Sequence, residues 1–144
     1  MNSVDPTLIL YPVFAMFVLV AVVLGRMARL RFAAVGRQEM SGAYYRTFQG
    51  GEEPEAIRVV TRNFINLFEV PVLFYVVVIM TYVTGQASYA MVAMAWLYVG
   101  LRYVHTYVHL TSNDVLRRFK IYFASGLVLV AMWLVLFVEL LIRA

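Results

Sequence analysis

Three trios of polar residues interrupt otherwise apolar stretches of this chain. They are Arg62, Asn66 and Glu69; Arg102, His105 and His109; and Arg118, Tyr122 and Ser125. At a helical pitch each trio falls within about 60° of arc, so each makes one polar stripe on a helix face. The stripes hold three arginines against one glutamate. A surplus of positive charge set among apolar residues is best satisfied by an anionic ligand. Arg118 stands out within its stripe: Arg117 and Lys120 can reach head groups, whereas Arg118 shares a face with Tyr122 and Ser125. Tyr122 is a candidate general acid or hydrogen-bond donor. His105 and His109, four apart, have the spacing of a metal clamp. With no carboxylate near them on that stretch and no third ligand evident, the expected metal content is none.

The elements that must carry these residues are membrane helices. The chain has 144 residues, is 63% hydrophobic and has a mean hydropathy of +0.80, which suits one compact unit, a single domain over residues 1–144, solvated mostly by lipid. A helix crosses the hydrocarbon core with about 20 apolar residues. Four stretches approach that: Thr7 to Leu24, about Ala56 to Thr84, about Ala87 to Leu110, and about Val115 to Ile142. The expected fold is therefore an all-α membrane protein, a four-transmembrane-helix bundle running up and down. The connection from Arg26 to Glu55 is long and polar, with glycines and Pro54 to break a helix. Thr84-Gly85-Gln86 reads as a tight turn. Thr111-Ser112-Asn113-Asp114 reads as another, able to cap the last helix with Ser112, Asn113 or Asp114.

Charge placement sets the orientation and excludes some partners. The net charge of +4 comes almost wholly from arginine, and the basic residues cluster where apolar runs end, as lipid head groups require. No nucleic-acid module is visible. Arg26, Arg29, Arg31, Arg37 and Arg46 fill the first connection and Arg117, Arg118 and Lys120 the last, against Arg143 alone opposite them. Both basic connections should face the cytoplasm, with both termini outside. The first apolar run lacks the basic start and cleavage site of a secretory signal and reads as a retained helix. Together with the short connections, this points to a multi-pass protein of a bacterial inner membrane with periplasmic termini. There is no cysteine, so any sulfur chemistry has to come from a ligand.

The order of these residues resembles the membrane-associated proteins in eicosanoid and glutathione metabolism (MAPEG). That family includes microsomal glutathione transferases, microsomal prostaglandin E synthase and leukotriene C synthase. The resemblance lies in RNFINLFEVPVLF, with Arg62, Asn66, Glu69 and Pro71; in GLRYVHTYVHL, with Arg102 and His105; in Arg118 with Tyr122; and in Arg29-Leu-Arg31. It implies a homotrimer of four-helix subunits with glutathione held between neighbours near the cytoplasmic side. Arg29, Arg62, Asn66, Glu69, Arg102 and His105 would then bind glutathione, and Arg118 with Tyr122 would be catalytic. In that role Arg118 stabilises the thiolate, while Arg62 or Arg102 and Glu69 take the tripeptide's carboxylates and ammonium. Hydrophobic substrates would arrive through the bilayer.

Two positions depart from the prostaglandin synthase branch. His109 stands where that branch has a tyrosine, and Phe119 where it has a serine. Its isomerase chemistry is therefore not carried over. The reading is a glutathione-dependent transferase or peroxidase acting on hydrophobic electrophiles. The alternative is a non-catalytic lipid-binding or scaffold protein of the same fold, since the family also includes the 5-lipoxygenase-activating protein. A channel or carrier fits less well, because the polar stripes occupy one leaflet and no inverted repeat is present.

Overall fold

The computed structural model describes residues 4–143; the Arg143 side chain, counted above on the outer face, lies outside the described residues. The chain opens with a 3-10 turn at Pro6–Leu10, capped by Asp5. The Asp5 carboxylate accepts from the Thr7 amide at 2.9 Å and its hydroxyl at 2.7 Å, which holds the carboxyl below its ordinary pKa. Helix α1, Tyr11–Gly36, follows directly and is about 39 Å long at 1.5 Å per residue. It continues well past the apolar run that ends at Leu24. Met27, Ala28, Arg29, Leu30 and Arg31 are strong helix formers, and Met27 and Ala34 keep a buried face through the segment read from the sequence as loop. The helix ends only where Gln38 takes a left-handed φ of 59°.

That extension is anchored by Arg31. Its Nε donates to Glu53 Oε1 at 3.0 Å and its Nη2 to Thr61 Oγ1 at 3.2 Å. Its guanidinium also lies 5.3 Å from the Tyr45 ring and 5.6 Å from the Phe48 ring. Both aromatic rings come from the short helix α2, Tyr44–Thr47, and its left-handed cap at Phe48. Burial, with Glu53 nearby, pushes the Tyr45 hydroxyl above its usual pKa. One side chain of α1 thus ties down both the connection that follows it and the helix beyond, α3 (Glu55–Asn66). An Arg31→Ala variant should leave Glu53 buried without its partner, costing about 2 to 3 kcal/mol, and should speed protease cleavage between Arg37 and Pro54 severalfold. Unchanged cleavage kinetics would rule out this anchoring.

Helix α3, Glu55–Asn66, starts after Pro54 and buries Ile57, Val60 and Asn63. Helix α4, Pro71–Val83, continues it after an interruption over Leu67 to Val70. The sequence reads as one helix here, but Pro71 has no N–H to offer, and its ring displaces the carbonyl four residues back. Shorter bonds take over, from Leu73 N–H to Val70 O at 3.0 Å and from Phe68 N–H to Ile65 O at 2.9 Å. The tight turn at Thr84 and Gly85 forms as expected, with Gly85 at a φ of 67° that favours glycine. Helix α5, Tyr89–Leu110, is capped by Ser88, whose Oγ accepts from the Met91 amide at 3.2 Å. Of the three residues able to cap helix α6, Val115–Arg143, Asp114 does so, accepting from the Arg117 amide at 2.8 Å. Asn113 takes the left-handed bend of the turn, with φ 50°.

Long antiparallel packing of α5 on α6, with α1 and α3 on another side of α5, builds an all-α bundle with no strand among the described residues. The core joins Met16, Leu19 and Val23 of α1 to Phe74 and Val78 of α4, Tyr98 of α5 and Met132 of α6. Phe74 and Tyr98 stack with ring centres 4.5 Å apart. Among the described residues three helical stretches are long and apolar enough to cross a membrane: Pro6–Gly36, Glu55–Val83 (which includes the interruption at Leu67 to Val70) and Val115–Ile142. Helix α5, of 22 residues and about 33 Å, has the length, but Arg102, two histidines and four tyrosines lower its hydropathy. The chain is a multi-span helical membrane protein.

Candidate functional site

The break before Pro71 sets up the site. The last carbonyls of a helix have no partner within it, and Asn66 is the final residue of α3. Its carbonyl oxygen accepts from Arg102 Nη2 at 3.0 Å. Arg102 is completely buried, yet its Nε and Nη1 have no protein partner. Its guanidinium lies 5.3 Å from the Tyr122 ring centre, which joins the stripe of α5 to that of α6. His105, nearly as buried, lies 5.8 Å from the same tyrosine ring and 5.8 Å from His109.

In front of these groups is a cavity of about 240 Å³ lined by Asn66, Glu69, His105, Arg118 and Tyr122, with Val115 and Phe119 at its side. Arg118 sends Nη1 to Asn113 Oδ1 at 2.7 Å, and its Nε is buried without a partner. Ser125 is buried and donates to the Tyr122 carbonyl at 2.7 Å, so its hydroxyl is spent within the helix. Among the described residues, Arg62, Arg102 and Arg118 form no ion pair with any carboxylate. Arg118 therefore brings one unpartnered guanidinium nitrogen to the cavity, and Arg102 holds two more behind its wall. An anion with more than one acceptor group fits such a surface.

A family model described as the MAPEG family matches residues 9–138. The chain belongs to the MAPEG family. The match takes in α1, α3, α4 and α5, most of α6, and every residue of the cavity. No curated protein and no solved structure matches the chain. For a MAPEG protein, the stripes are brought together unevenly. Asn66, Glu69, His105, Arg118 and Tyr122 meet at one cavity, and Arg102 lies behind it against Tyr122. Arg62 is exposed; its carbonyl accepts from Asn66 Nδ2 at 3.3 Å, while its side chain makes no hydrogen bond or ion pair within the described residues. Arg29, also exposed, is on α1 and does not line this cavity. Of the Arg29-Leu-Arg31 pair, the second arginine turns out to be the anchor of the inner connection described above.

Some polar participants were not foreseen from the sequence. Asn63 is fully buried and accepts from the Thr106 hydroxyl at 3.4 Å, linking α3 to α5 next to the stripe. Asn113 orients Arg118. The only advance sign of Asn63 is an amide within the apolar pattern of α3; Asn113 has the left-handed tolerance expected of a turn asparagine. His109 is fully buried, with neither ring nitrogen partnered. Among the described residues no three histidine, aspartate or glutamate side chains come together as a metal site.

Proposed function

We propose that this MAPEG protein is a glutathione-dependent transferase or peroxidase that acts on hydrophobic electrophiles, with Arg118 as the group that holds the reacting sulfur as thiolate. The observation carrying this reading is the set of buried, unpartnered guanidinium nitrogens on Arg102 and Arg118 around one cavity that has no ion-paired carboxylate. The residues fit the tripeptide. Arg102 offers two free donors for a carboxylate, Glu69 a carboxylate for its ammonium, and Asn66 and His105 further polar contacts. Glutathione supplies the thiol that the cysteine-free chain lacks.

A thiol of pKa ~8.5 is mostly protonated at neutral pH, and a partly desolvated guanidinium stabilises its anion. The thiol proton leaves to solvent as the site binds. In conjugation of an aryl chloride, a sulfur–carbon bond then forms and the carbon–chlorine bond breaks, releasing chloride. Tyr122 acts as the auxiliary donor at the same cavity. Arg29 and Arg62, exposed in one subunit, would complete the site across a homotrimer interface, with α5 as the remaining span of a four-helix subunit.

The second reading is a non-catalytic lipid-binding or scaffold member, and the Arg118 bond to Asn113 favours it by giving that arginine a purely structural task. Calorimetric titration of glutathione into detergent-purified protein, followed by assay of chlorodinitrobenzene conjugation, separates the two. Saturable binding with turnover supports the enzyme; absence of both supports the scaffold.

A further inference from the structure

Two further cavities, distinct from the one that Arg118 lines, meet at Arg26 of α1. One, of about 330 Å³, runs between α1 and α5 and is walled by Val18, Leu19, Val22, Tyr103 and Tyr107. The other, of about 400 Å³, opens among α1, the start of α3 and the turn before α6, and presents Glu55, Ser112 and Asn113. Arg26, Leu110 and Thr111 line both.

The juxtaposition follows from register. Val18, Val22 and Arg26 share one face of α1, and Tyr103, Tyr107 and Leu110 one face of α5, with Thr111 just past its end. The α3–α4 segment is the single return between these two helices, so they run in the same direction and their apolar ends lie side by side. The Tyr103 hydroxyl donates to the Ala15 carbonyl at 2.8 Å, bridging the outer end of the groove. Val18, Val22 and Tyr107 are exposed in the single subunit, where the groove is open along its length.

An apolar groove that opens onto a polar chamber is the shape of an amphiphile, and the charges in the chamber narrow its head group. Arg26 supplies a cation and Glu55 a carboxylate, and among the described residues neither has an ion-pair partner. We propose that the two cavities form one binding site for a glycerophospholipid with a primary ammonium head, of the phosphatidylethanolamine type. An acyl chain lies in the α1–α5 groove, the phosphate faces Arg26, and the ammonium faces Glu55. A phosphatidylglycerol head leaves Glu55 facing a hydroxyl beside a net negative charge. A choline head has no N–H to donate. The site borders the thiolate cavity through Asn113, which lines the chamber and accepts from Arg118, but it does not depend on the proposed chemistry there.

Delipidated protein in detergent, titrated with phosphatidylethanolamine, phosphatidylglycerol or phosphatidylcholine and followed by native mass spectrometry, tests this. Wild type should retain the ethanolamine lipid over the other two. Arg26→Gln should weaken its retention by about fivefold, the factor one arginine contributes near a head group. Glu55→Gln should erase the preference over phosphatidylglycerol without reducing retention of phosphatidylglycerol itself. Val22→Trp, at an exposed groove position, should lower retention of all three lipids. No head-group preference in wild type, or unchanged retention in Arg26→Gln, overturns the assignment. Displacement of the lipid by an equal concentration of free phosphoethanolamine also overturns it, because the chain groove would then contribute nothing.

Discussion

An Arg118→Ala variant conjugates chlorodinitrobenzene about a hundredfold or more slowly than wild type, because removing one preorganised charged donor from a reacting centre costs on that order, while glutathione affinity falls far less. The split follows from position. Arg118 lines the open cavity with a buried Nε free for a ligand, whereas the fully buried donors belong to Arg102. If Arg118 acts on the sulfur, the ultraviolet absorbance of bound thiolate at neutral pH is lost in the variant, and its rate recovers as pH rises toward the ordinary thiol pKa. The sign follows from the charge: a nearby cation lowers the thiol pKa, so its removal shifts the activity profile to higher pH. Arg118→Lys should restore part of the thiolate signal by keeping the charge. A variant with full thiolate absorbance and wild-type turnover would assign Arg118 to its bond with Asn113 alone.

Arg102→Met should act in the opposite way, weakening binding while sparing the fold. The side chain is completely buried, donates once to the Asn66 carbonyl, and has two nitrogens with no protein partner. A hydrogen bond from a charged donor to a ligand carboxylate contributes about 1.5 to 3 kcal/mol, so its loss weakens glutathione binding by roughly 10- to 150-fold. The protein without ligand should melt within a few degrees of wild type, or higher. An apolar chain of similar length replaces a buried, unneutralised charge, and that exchange offsets the lost bond to Asn66. The two roles of Arg102 make opposite demands. A purely structural arginine would show a lower melting temperature in Arg102→Met and no change in the stabilisation that glutathione confers.

The apolar runs, the basic connections and the spacing of polar residues were legible in the sequence because each depends on local rules: lipid rejects charge, and a helix repeats its faces. They gave the helical membrane class, the tight turns at Gly85 and before α6, and the polar stripes on α5 and α6; the first stripe keeps Arg62 and Asn66 on α3 but leaves Glu69 in the break before Pro71. The same rules placed the end of α1 too early, since Arg26 and Arg29 mark the edge of the apolar run but do not stop a helix. They also read α3 and α4 as one element, although Pro71 stands in plain view. Tertiary structure decided what these features do. Contact between segments far apart in the chain turned the Pro71 break into an acceptor for Arg102 and brought Tyr122 against both Arg102 and His105. It also made Arg31 the anchor of the inner connection while Arg29 stayed exposed. Spacing fixes the face on which a side chain stands. Which atoms meet it there depends on how the helices lean on one another, and that follows from packing the whole core.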